Sequence, residues 1–128
     1  MNNKFRNALL VLLFILSLAI FGIWGMNFAA GAFAEGIFIG QQETSLPIFH
    51  LVAEFLMAGV TMAGVIGFWR KKAWAKGLTV FGMGMFTYSA INSMGWAVIN
   101  DPLQAIPMAI TLVVVILALP LLINLNQN

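Results

Sequence analysis

The sequence has no cysteine, a single histidine, a single tyrosine and very little charge, with Asp, Glu, Lys and Arg making up 8% of its 128 residues. Without cysteine there is no disulfide, no thiolate metal site, no iron–sulfur cluster and no thiol nucleophile. The shortage of charge excludes more. A soluble domain carries about 25% charged residues, so this chain has too little polar side chain to cover a water-facing surface. Its net charge of +2, six basic residues in two short clusters against four acidic ones, is no footprint for nucleic acid. One histidine and scattered acids give no metal-ligand spacing; a site built from His50, Glu54 and Glu43 would be an unusual way to hold three ligands. No serine sits in a nucleophile motif. His50 and Glu54 are the only acid–base pair in the apolar segments, so an enzyme is not the expected reading. The residues name no cofactor.

What is present in quantity is apolar side chain, 62% of the sequence. It falls into four stretches, about 8–28, 48–69, 77–99 and 103–123. Each is long enough as a helix to cross a hydrocarbon layer of about 30 Å. Inside lipid every backbone group must be satisfied within the segment, so these stretches are helices. The expected fold is an all-α integral membrane protein: one domain over residues 1–128, a small four-helix bundle.

Charge orients it. Lys4 and Arg6 precede the first stretch, and Arg70, Lys71, Lys72 and Lys76 lie between the second and third. With four spans both clusters share one side, while Glu35, Glu43 and Asp101 fall on the other. The positive-inside rule then puts both termini in the cytoplasm, in a cytoplasmic (inner) membrane. Trp24 and Trp96 are expected at the outer interface, Trp69 and Trp74 at the inner one. The basic start and the small residues Ala32-Phe33-Ala34 resemble a signal peptide. The apolar run Ala8 to Trp24 is longer than the usual core of about 7–15 residues, however, so the first helix is expected to be retained. Residues 28–40 either extend that helix or lie along the interface. Ser45 and Pro47 suit the start of the second helix, and Asn100-Asp101-Pro102 a tight outer turn.

Small residues recur every four positions, Gly59-Ala63-Gly67 on the second helix and Ser89-Ser93-Ala97 on the third, a spacing that allows close helix approach. The eight methionines form no tight group of the kind that marks a copper(I) path, and read as flexible filling. Pro107 is expected in the first turn of the fourth helix; Pro120 is expected to kink or end it.

One cluster points to function. His50 and Glu54 share a helix face, one turn apart. Counted from the outer helix ends, Glu54 lies at a depth of about 10 Å and Asn92 at about 12 Å, with Tyr88 one turn deeper on the face of Asn92. Thr111 lies at a similar depth. A carboxylate in hydrocarbon must be paired, protonated or reached by water, since the penalty for an acid at mid-membrane starts near ~2.5–3.5 kcal/mol. The expected site is therefore an outer-leaflet polar pocket of His50, Glu54, Tyr88 and Asn92, binding or transporting a small ligand, proton or cation. The alternative is a structural or accessory subunit of a larger membrane complex, in which an Asn92–Glu54 hydrogen bond only clasps two helices. Lipid is the expected surrounding, with a homo-oligomer or larger membrane complex as the possible assembly.

Overall fold

A computed structural model describes residues 3–29, 48–100 and 102–124. These residues are all helix apart from the loop at 70–74 and Asn124. The helices are α1 (Asn3–Ala29), α2 (Ile48–Trp69), α3 (Ala75–Asn100) and α4 (Pro102–Ile123). Each packs on its neighbour in sequence, α1 on α2, α2 on α3 and α3 on α4. The connection at 30–47, with Ser45 and Pro47, lies outside the described residues.

Three of the four, over Lys4–Met26, His50–Trp69 and Ala105–Ile123, are long and apolar enough to cross a membrane. α3 has the length, 26 residues, but carries Thr79, Thr87, Tyr88, Ser89, Asn92 and Ser93. Hydroxyls on it fold back on the helix: Thr79 donates to the Ala75 carbonyl at 2.9 Å and Thr87 to that of Met83 at 3.0 Å. Such bonds let a polar residue sit in an apolar bundle. Ser17, fully buried on α1, does the same toward Leu13.

The buried core draws on all four helices: Leu9, Leu10 and Leu13, then Met57 and Val65, Met83 and Phe86, and Val115, Ala118 and Leu122. The outside is apolar as well. Ile23, Leu56, Ile99, Leu103, Ile110 and Leu117 are all more than half exposed. A water-soluble monomer rarely shows so much contiguous apolar surface; helices bathed in lipid do.

α2 and α3 approach closely at Gly64 and Gly82, which the four-residue spacing does not suggest. A Cβ on Gly64 would stand 2.7 Å from the backbone N of Thr79. One on Gly82 would stand 3.0 Å from the Cα of Thr61. Gly59 meets nothing within 4 Å, and Ala63 is exposed. The contact face of α2 is thus Met57-Thr61-Gly64-Phe68, not Gly59-Ala63-Gly67. Gly67 belongs to its lower edge, where the Trp74 ring lies over it. Across this seam the buried Thr61 hydroxyl, which has no hydrogen-bond partner, faces the Cα–H of Gly82, a weak contact common at membrane-helix interfaces.

The α2–α3 loop is held by its backbone. Lys72 N–H donates to the Gly67 carbonyl at 2.9 Å and Lys71 N–H to that of Phe68 at 3.0 Å, while Lys71 takes a φ of 54°. This is a Schellman cap with lysine where glycine is usual.

α4 begins at Pro102, the first helical position, which tolerates proline. Pro107 is therefore in the second turn rather than the first, and there it removes one intrahelical bond. Pro120 does not end the helix either; one further turn closes with Asn124 N–H donating to the Pro120 carbonyl at 3.2 Å.

Candidate functional site

α2 presents His50, Ala53, Glu54 and Met57 on one face, and α3 presents Phe81, Gly84, Met85, Tyr88, Ser89 and Asn92. The two stripes line a cleft of about 470 Å³. All four residues expected at the site, His50, Glu54, Tyr88 and Asn92, border it.

Glu54 is its centre. The buried indole of Trp24 on α1 donates Nε1–H to Glu54 Oε2 at 2.9 Å. The Ser89 hydroxyl on α3 donates to Oε1 at 2.7 Å. His50 Nε2 stands 3.6 Å from the same Oε1, and the imidazole meets the Trp24 ring edge-on, with centroids 6.4 Å apart. One carboxylate so joins three helices. It keeps 16% of its side-chain surface exposed, and His50 keeps 28%, so neither is sealed off.

Two expectations are corrected here. The hydrogen-bonding partner of Glu54 on α3 is Ser89, not Asn92, which is exposed on the same cleft wall one turn further along α3. Counting depth from the outer ends assumes that the helices finish level, and they do not. Counted from the short loop they share, Glu54 lies 15 residues before Trp69 and Ser89 14 after Ala75, both about 21–23 Å along. Trp24, expected at the interface, instead turns inward to the acid. Its neighbours Phe14 and Phe21 also face α2, with ring centroids 5.4 Å from Trp69 and 5.3 Å from Phe55. Together these contacts fix α1 antiparallel to α2. The side chain of Trp96 lies outside the described residues. Thr111 is not part of the cleft wall; it donates to the Pro107 carbonyl.

Among the described residues no three His, Asp or Glu side chains stand together in a way that could hold a metal ion; Glu43 lies outside them. The cleft can accept a group at the Glu54 carboxylate, with a hydroxyl and an indole N–H fixing that carboxylate from behind.

Residues 3–128 match the sequence family described as Domain of unknown function (DUF8058). The chain belongs to the DUF8058 family. No curated protein and no solved structure matches it. The family description carries no chemistry, so the functional reading of this DUF8058 member rests on the site.

Proposed function

We propose that this protein spans the membrane four times with both termini in the cytoplasm, and that its α2–α3 cleft binds or transports a small ligand, proton or cation at Glu54. The span count draws support from α3 packing along both α2 and α4, and from six basic residues that all fall on one side of such a bundle. The inner membrane follows from the same charge rule. In the site, Glu54 is the charged contact, His50 its neighbour, Ser89 and Trp24 hold the carboxylate in place, and Tyr88 and Asn92 form the rim. The observation that carries this reading is the partly exposed Glu54 side chain on the wall of a cleft of about 470 Å³. That volume is within the range of small-molecule sites, about 300–1,000 Å³.

A second reading has its own observation. Both Glu54 oxygens already accept a hydrogen bond from another helix, which suits a structural clasp in a subunit of a larger membrane complex.

Water access separates them. With no native cysteine, Asn92→Cys supplies a single thiol. The pocket reading expects it to react with an impermeant thiol reagent added outside. A thiol that stays inert in the folded protein, while a control cysteine at Gln42 reacts, would leave a dry cluster and favour the clasp.

A further inference from the structure

Nearly all of the surface the cleft presents is apolar, and its polar side chains stand at one end. Its α3 wall follows one helical stripe from Asn92 and Ser89 down through Met85 and Gly84 to Phe81. Ser89 and Phe81 are eight residues apart, about 12 Å along the helix. His50, Glu54, Tyr88, Ser89 and Asn92 gather at the outer end. Met57, Gly84, Met85 and Phe81 line the inner end. A polar end bearing a carboxylate thus continues into an apolar trough.

The charge at the polar end is one-sided. Glu54 is the acid on the cleft wall, and no Lys or Arg is among the lining residues. An anionic ligand would meet the Glu54 carboxylate with no fixed cation to offset it. A bare metal ion would find one carboxylate where hard cations take six or more oxygens, in a space far larger than it needs. A zwitterionic phospholipid such as phosphatidylethanolamine could offer its amine to Glu54, but its phosphate would find no basic partner on the wall. The exposed ring of Tyr88 beside the acid is a surface to which an organic cation is attracted.

We propose that the cleft takes an amphiphilic organic cation, its positive head at Glu54 and Tyr88 and its apolar body along Met57, Met85 and Phe81. This rests on the pocket reading above and gives that pocket its ligand class. The bound molecule would lie as a lipid does, head outward and body toward the bilayer centre. Glu54, held from behind by Trp24 and Ser89, would keep its place as the head arrives.

The test uses the full chain in phosphatidylcholine nanodiscs and the lipophilic cation tetraphenylphosphonium, measured by equilibrium dialysis against empty nanodiscs. Saturable binding near one per chain is expected, weakened at least tenfold by Glu54→Gln. Gly84→Leu should weaken it similarly by filling the trough. No atom stands within 4 Å of a Cβ at Gly84, so the added side chain starts into open space, and unchanged thermal unfolding of the variant is the control for its fold. Gly59→Ala, away from the cleft, should bind as the parent does. The uncharged triphenylphosphine oxide should show no dependence on Glu54. Binding that is equal in the parent and in Glu54→Gln is mere partitioning and overturns the proposal. Loss of binding when phosphatidylethanolamine replaces phosphatidylcholine makes lipid the occupant and overturns it too. Glu54-dependent binding of tetramethylammonium without any of tetraphenylphosphonium overturns the amphiphile but keeps the pocket. If neither cation's binding depends on Glu54, and Glu54→Gln also leaves the small molecules retained by the extracted protein unchanged, both readings fall.

Discussion

The indole N–H of Trp24 donates to Glu54 at 2.9 Å and thereby ties the first helix to the second. Trp24→Phe keeps an aromatic ring in a buried position and removes the donor. A loss of about 1–3 kcal/mol is expected, read as thermal unfolding in detergent. The loss should shrink in a Glu54→Leu background, because the acceptor is already gone. Additive losses in the double variant would show that the two side chains do not act on one another.

Two glycines on α2 should respond in opposite ways to the same methyl group. Gly64→Ala presses against the backbone of Thr79, which cannot turn aside as a side chain can. It should destabilise by about 1–3 kcal/mol. Gly59→Ala has open space and should be neutral or stabilising by up to about 1 kcal/mol through helix propensity. Equal effects in unfolding measurements would mean that the α2–α3 seam lies elsewhere.

Lys71 takes a left-handed conformation at the end of α2, which costs a side-chain-bearing residue about 1–2 kcal/mol. Lys71→Gly relieves that strain, against the greater freedom glycine gains in the unfolded chain. A net gain of up to about 1 kcal/mol is expected. A clear loss of stability would mean that the lysine side chain itself holds the loop.

The orientation is open to labelling. Cysteine at Gln42 should react with an impermeant reagent added outside, and cysteine at Lys72 should react only after the membrane is opened. The reverse pattern would invert the topology, and outside reaction at both would change the span count.

Much of this helical architecture is legible in the sequence, because apolar length acts locally. The second segment, 48–69, coincides with α2. α1 and α3 begin earlier than their apolar runs, at Asn3 and Ala75, since a helix continues past the point where its residues stop suiting lipid. The His50–Glu54 pairing follows from spacing alone. Ser89 was within reach of the same reasoning, had depth been counted from the five-residue loop 70–74 rather than from free ends. Trp24 was not. A tryptophan near a helix end suits an interface as well as a buried hydrogen bond, and only the packing of α1 on α2 decides between them. The glycines of the seam are hidden for a similar reason: several small-residue spacings coexist on α2, and rotation of the helix selects one.

The central claim is that the Glu54 carboxylate serves a ligand, not only the joint between helices. Glutamine can keep that joint, its carbonyl accepting from Trp24 and its amide donating to the Ser89 hydroxyl, but it carries no charge and exchanges no proton. The most direct measurement therefore follows thermal stability and retained small molecules, by mass spectrometry of the gently extracted protein, for the parent and Glu54→Gln between about pH 5 and 8. The account predicts nearly unchanged stability with loss of a retained ligand. Identical behaviour of the two proteins in both measurements would contradict it.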